Sequence, residues 1–335
     1  MTAPSSPVLS VRDLSCEIEK QEGTARILKR VSLDVQQGET VGLVGESGSG
    51  KTMLVKSIMG ISPVRAQVSG TAVLNGVDIL SAPISQRRQI WGKQIAMVFQ
   101  DPMSSLNPVV RVGRQITEGM RRHLRISQAE ANERAIELLS LVGIGDPAAR
   151  LRMYPHELSG GMRQRIMIAI ALSCDPDLLI TDEATTALDV TVQKQILNLL
   201  QRLQADRGMS IIMVSHDLGV VASRTDRVAV MYAGRIVETS TTLELFSSTR
   251  HRYTEALLGA IPRVDRPGSG LTSIPGTMPS TSAESNACDF APRCRFAVEA
   301  CFTERPPLVT EGDGHAFECF VPVGHGARTL EEVVL

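Results

Sequence analysis

The sequence predicts an α/β protein built on a mostly parallel sheet with helices on both faces. Three observations carry that reading. Short apolar strands alternate with helical segments, one strand runs straight into a glycine-rich loop, and the middle of the chain has helical spacing. At 335 residues the chain has room for about two domains, and 43% apolar residues allow a sizeable core.

Each element follows from its own pattern. Residues 8–35 alternate apolar and polar positions, as in a small antiparallel sheet turning around 21–24. Residues 40–44 form a short apolar strand, and 53–59 have helical spacing. From 84 to 173 the pattern is mostly helical, with Ala131, Ala135, Leu138, Leu139 and Val142 on one stripe. Two buried-type strands, 177–181 and 209–214, flank a helix at 192–205. Residues 263–287 turn rich in Pro, Gly, Ser and Thr and read as a linker to a small terminal module.

Charge and composition narrow the function. Lys and Arg number 35 against 36 Asp and Glu, a balance that argues against binding nucleic acid through a basic face. Aromatic residues are 3% of the chain, too few for stacking platforms. The first ten residues lack the basic and apolar regions of a secretory signal. The longest aliphatic run, 166–172, falls far short of the about 20 residues that cross a bilayer. The chain is therefore expected to be soluble and intracellular. Disulfides are disfavoured there, so Cys288, Cys294, Cys301 and Cys319, crowded near the end, read first as metal or cluster ligands.

Gly45-Glu-Ser-Gly-Ser-Gly-Lys-Thr52 fits G-x-x-x-x-G-K-[ST] between a strand and a helix. Gly45, Ser47, Gly48 and Gly50 line a turn whose backbone N–H groups face a β-phosphate at a helix N-terminus. Lys51 reaches the β/γ-phosphates of ATP, and the Thr52 hydroxyl holds Mg²⁺. A Gly/Ser-rich turn with a chance lysine is the competing reading, which the strand–loop–helix setting disfavours. The strand Leu178-Leu-Ile-Thr-Asp-Glu183 delivers two carboxylates at its end: Asp182 for Mg²⁺ and Glu183 to polarise the attacking water. Its bland alternative is an acidic pair capping the helix that follows. Leu158-Ser-Gly-Gly-Met-Arg-Gln-Arg165 then opens an apolar helix with an anion-seeking turn, where a plain N-cap is the simpler reading of Ser-Gly-Gly alone.

With these motifs in order, the chain resembles the ATP-binding subunit of an ABC transporter. The resemblance implies a P-loop NTPase of ABC type over residues 1–262, with a RecA-like parallel-sheet core, an antiparallel β subdomain and an α-helical subdomain at about 85–175. A linker at 263–287 and a Cys-rich C-terminal module at 288–335 complete it. It also implies a head-to-tail dimer in which Ser159, Gly160 and Gly161 contact the γ-phosphate of ATP held by the partner. Gln100 matches the Q-loop glutamine that senses Mg²⁺ and the membrane subunit, Asp189 the D-loop, and His216 the switch histidine near the γ-phosphate. One departure is Ile18, which stands where the family places an aromatic residue on adenine; stacking is lost there.

Phe99-Gln-Asp-Pro-Met-Ser-Ser-Leu-Asn-Pro108 and Tyr154-Pro-His-Glu-Leu-Ser-Gly-Gly161 resemble the oligopeptide/dipeptide/nickel importer branch. So does the tail with its cysteines, Pro306-Pro-Leu308 and His315. The C-x5-C-x6-C-x17-C spacing matches neither paired zinc knuckles nor ferredoxin runs, and four thiolates suit either tetrahedral zinc or a [4Fe–4S] cluster. The resemblance favours the cluster, with zinc and plain reduced thiols as alternatives and His315 as a residue supporting the ligands or the fold rather than a ligand. The function so implied is an ATPase that energises a membrane importer for dipeptides or oligopeptides. Its expected partners are two transmembrane permease subunits, a second, related ATPase and an extracytoplasmic solute-binding protein, at the cytoplasmic face of the membrane. The rival readings are a soluble ABC ATPase acting on nucleic acid or the ribosome, an importer of nickel or another small solute, and a subunit that binds ATP without hydrolysing it.

Overall fold

The structure, a computed structural model, describes residues 6–20, 23–99, 105–183, 190–261, 274–279, 286–312 and 314–324. The chain divides into two compact units, which are described separately. One comprises residues 9–35, 40–81 and 213–335, and the other 1–8, 36–39 and 82–212.

The first unit opens on the expected antiparallel sheet. Strands β1 (Leu9–Lys20) and β2 (Gly23–Val35) pair antiparallel from Leu9 opposite Val35 to Lys20 opposite Gly23. β4 (Ala66–Leu74) covers the other edge of β1, and the short β5 (Val77–Asp78) follows it. Asp13 and Arg30 take positive φ (48° and 54°), and the β1 register shifts between Val11 and Leu14. Such irregularities sharpen the local twist.

The same unit holds the strand that leads into the glycine-rich loop. β3 (Thr40–Val44) is buried at every position and runs parallel to β9 (Arg227–Tyr232). Burial on both faces explains why residues 41–44 and 228–232 lack an apolar–polar alternation. β10 (Arg235–Thr241) returns antiparallel to β9, so the sheet is mixed where the sequence suggested a mostly parallel one. The second half of β8 (Ser210–Ser215) also belongs here, beside β3. Helix α1 (Lys51–Ile58) follows the loop and buries Leu54, Val55 and Ile58.

The tail departs from expectation. It is not a free-standing Cys-rich module: β12 (His315–Phe317) pairs antiparallel with β10, placing Glu238 opposite Phe317, and β11 (Val309–Glu311) adds to β12. Phe290 enters a core shared with Tyr232, Phe246, Tyr253 and Leu258. The Phe290 ring stands edge-on to Tyr232 and Tyr253, at 5.3 and 5.4 Å between centroids. A segment poor in apolar residues thus gains its order by joining an existing sheet and core.

In the second unit, β6 (Ile95–Val98) runs parallel to β7 (Leu178–Asp182), with the first half of β8 beside β7. Around them lie helices α2 (Ile84–Ile90), α3 (Val112–His123), α4 (Gln128–Leu141), α5 (Pro147–Arg150), α6 (Gly160–Leu172) and α7 (Val190–Arg207). The stripe on α4 is buried as its spacing predicts, and Val142 just beyond it is buried too. Ser127 and Glu130 close a capping box at its start. At its end Arg165 donates to the Val142 and Gly143 carbonyls, at 2.8 and 2.9 Å. Among the described residues, no helix is long and apolar enough to cross a membrane.

Candidate nucleotide site

The loop 45–50 is shaped by three left-handed glycines. Gly45, Gly48 and Gly50 have φ of 152°, 84° and 105°, conformations that cost a side-chain-bearing residue free energy. A Cβ on Gly45 would lie 2.2 Å from the Met231 carbonyl oxygen, so glycine is required there for space as well as for φ. At Gly48 nothing lies within 4 Å of a Cβ position, and both Ser47 and Gly48 are exposed. The loop therefore presents an open face.

Lys51 is buried beneath that face. Its ammonium donates to the carbonyls of Gly45 (2.7 Å) and Glu46 (2.9 Å), with the Ser49 hydroxyl at 3.5 Å. Gly50 is the N-cap of α1, no side chain caps it, and no acidic residue lies in the first turn. A helix N-terminus with no acidic residue in its first turn and a nearby ammonium fit an anion such as the phosphates of ATP. Thr52, half-buried on the first turn, provides the hydroxyl suited to Mg²⁺.

The loop is also held from behind, which the motif did not foretell. The Glu46 N–H donates to the Tyr253 hydroxyl at 2.8 Å, and the Arg293 guanidinium grips the Glu46 carboxylate at 2.8 and 3.1 Å. Burial raises the Tyr253 hydroxyl above its usual range, which keeps it a neutral partner. Nearby, Asp289 pairs with Lys29 at 2.9 Å and Arg235 at 3.5 Å. Glu46 occupies a variable position of the motif and Arg293 lies far along the chain, so only the fold joins them.

His216 follows β8 and is exposed. The next residue, Asp217, caps a short helix (Leu218–Ala222) by accepting from the Gly219 and Val220 N–H groups. In the other unit, Asp182 ends β7 fully buried, and Glu183 emerges half-buried with φ of +48°. That left-handed conformation costs a glutamate on the order of 1 kcal/mol, a strain that concentrates at functional positions. Ser159 is the exposed N-cap of α6 and accepts from the Met162 N–H at 3.3 Å, with Gly160 and Gly161 opening the helix. Gln100 and Asp189 lie outside the described residues. Ile18, at the expected adenine position, is half-buried in β1.

The expected metal centre at the cysteines gains no support. All six are free thiols. Among the described residues no group of three or more His, Cys, Asp or Glu side chains could hold a metal ion, so neither a [4Fe–4S] cluster nor zinc gains support. Cys288 and Cys294 lean on the aromatic core, and the Cys288 N–H donates to the Cys301 carbonyl at 2.9 Å. Burial, reinforced by the Cys301 and Cys319 thiols, pushes the Cys288 thiol up to about 11. Burial likewise raises Cys294 and Cys319. His315 is buried and meets Glu238 at 2.7 Å.

Comparison with known proteins agrees with the loop. Residues 28–186 match the ABC transporter family, and residues 237–301 match the oligopeptide/dipeptide transporter C-terminal region. The dipeptide transport ATP-binding protein DppD of Bacillus subtilis is 45% identical over 316 residues, covering 94% of each chain. The oligopeptide transport ATP-binding protein OppD of Salmonella typhimurium is 44% identical, over 96% of this chain and 95% of that relative. Among solved structures, the dimeric post-hydrolysis state of the ATP-binding cassette MJ0796 with ADP and Pi superposes with a TM-score of 0.64 and 25% identity. It covers 70% of this chain and 98% of the cassette. The chain belongs to the ABC transporter family and is an ABC ATPase. Its relatives within that family are ATP-binding proteins of dipeptide and oligopeptide transport.

Proposed function

We propose that this chain is the ATP-hydrolysing subunit that energises a membrane importer for dipeptides or oligopeptides. The observation that carries the reading is the open glycine loop over the buried Lys51, on a chain whose tail matches the oligopeptide/dipeptide transporter C-terminal region. The relatives that resemble it over nearly their whole length are named for dipeptide and oligopeptide transport.

In this proposal Lys51 and the N–H groups of Ser47, Gly48 and Gly50 hold the β- and γ-phosphates. Thr52, Asp182 and Gln100 are the residues that would hold Mg²⁺, which neutralises phosphate charge when bound. Glu183 accepts a hydrogen bond from the attacking water and polarises it toward the γ-phosphorus, and His216 donates toward the γ-phosphate oxygens. Ser159, Gly160, Gly161 and Asp189 act on ATP held by a second, related ATPase chain. Two permease subunits and an extracytoplasmic solute-binding protein complete the assembly at the cytoplasmic face of the membrane, with Gln100 at the permease contact. The proposal assigns no metal to the cysteines.

The test is Glu183→Gln in the complex co-purified with its permease. Turnover is expected to fall at least about 100-fold, within the range that general-base catalysis supplies, while ATP is still bound. Hydrolysis at the wild-type rate would remove Glu183 from its role. Co-purification with nucleic acid in place of a permease would overturn the transport reading. Uptake that follows nickel and not a peptide would replace the solute.

A further inference from the structure

Among the seams that no motif explains, the contact between the C-terminal segment and the glycine loop is the most completely built. Arg293 is itself nearly buried, with its side chain 6% exposed. Its Nε donates to the Pro275 carbonyl at 2.7 Å, and its Nη1 reaches the Tyr232 hydroxyl at 3.3 Å. The guanidinium carbon lies 5.8 Å from the centre of the Tyr232 ring. The fork left over meets both oxygens of Glu46. A bidentate, fixed arginine is a directional clamp and not a loose surface pair.

What it clamps matters for phosphate binding. Glu46 is the second residue of the loop, and its carbonyl is one of those that Lys51 holds. Its carboxylate, if left unpaired, would set a negative charge on the loop that must receive a polyanion. We propose that Arg293 is a positioning residue of the nucleotide site: it neutralises Glu46 and, with Tyr253, fixes the Gly45–Glu46 peptide against Lys51, so that ATP affinity depends on the C-terminal segment. This rests on the reading of residues 45–52 as the phosphate loop.

The two effects give a signature that a merely structural contact would not. Arg293→Met leaves Glu46 charged and half-buried, and is expected to weaken binding of Mg²⁺–ATP to the full chain about tenfold or more. Glu46→Gln removes the charge and is expected to weaken it only about threefold, roughly 0.65 kcal/mol. The double variant Glu46→Gln/Arg293→Met is expected to recover to within about threefold of wild type, because nothing charged is then left unpaired. In the assembled complex Arg293→Met should raise KM for ATP with kcat largely kept, as expected for lost uniform binding. Arg293→Lys, which keeps the charge but loses the fork, is expected to fall between Arg293→Met and wild type, and it carries the test should Arg293→Met not fold.

Calorimetric titration with Mg²⁺–ATP reads all of these, with Lys51→Ala as the reference. If Lys51→Ala abolishes binding while the Arg293 variants bind as wild type, the proposal is wrong and the loop reading stands. A double variant as weak as Arg293→Met, or weaker, also overturns it. If Lys51→Ala binds as wild type, the loop reading itself has failed.

Discussion

His251 is a buried titratable residue. It caps a helix (Arg252–Gly259) by accepting the Tyr253 N–H on Nδ1 at 3.0 Å, and burial lowers its pKa to about 4 against the pull of Glu238. The unfolded chain, with an ordinary histidine near 6.5, binds the extra proton first as pH falls. Stability is therefore complete above about pH 6.5 and is lost as pH drops toward 4, by up to about 3 kcal/mol. Denaturant unfolding at stepped pH should show that slope, and His251→Asn, which keeps a capping acceptor without the titration, should flatten it. Glu183 makes a second case at this scale. Its φ of +48° suits glycine better than glutamate. Glu183→Gly is expected to unfold at no lower denaturant concentration than wild type while losing turnover, as at other strained functional positions.

At the scale of elements, close approach decides what is tolerated. In β3, a Cβ on Gly42 would come within 2.5 Å of a Val221 methyl, so Gly42→Ala is expected to cost about 1–3 kcal/mol in denaturant unfolding by overpacking. Phe317, fully buried on β12, should cost about 3–5 kcal/mol when cut to alanine, because the cavity would lie where the tail joins β10. What was legible in the sequence follows the same logic. β3, α1, β7 and β8 announce themselves because an unbroken apolar strand beside a helix-period run has few other solutions. β6, four residues inside a helical stretch, and β12, reading His-Ala-Phe, are too short to show a period. Lys51, Asp182 and Ser159, proposed for the nucleotide site, stand out because each belongs to a short motif. Glu46, Tyr253 and Arg293 do not, since their partnership is made by packing across long separations. The late cysteines suggested a shared ligand by proximity in sequence; Cys288 and Cys294 pack against the aromatic core, and no metal-holding group is found among the described residues.

At the scale of the whole molecule, the exposed start of α6 is the feature that looks outward. Ser159 caps its own helix, and the loop proposed to hold this chain's own phosphates ends at a different helix, α1. A bulky Ser159→Arg is expected to leave Mg²⁺–ATP affinity of the isolated chain within about twofold, at a helix-cap cost of about 1 kcal/mol in stability. In the co-purified complex it should abolish hydrolysis. Equal titration curves beside a lost phosphate-release signal would support that division, whereas full hydrolysis would remove α6 from any role on a neighbouring chain's nucleotide.

The joining of Arg293 to Glu46 also sets an order in time. The two residues are 247 positions apart, so at roughly 5–20 residues per second translation delivers the arginine about 10 to 50 s after the loop it completes. A nascent chain passes through a long interval with a whole phosphate-loop sequence and only part of its support. A chain ended before residue 293 would carry the glycine loop without this clamp, and under the proposal is expected to bind Mg²⁺–ATP more weakly in a calorimetric titration.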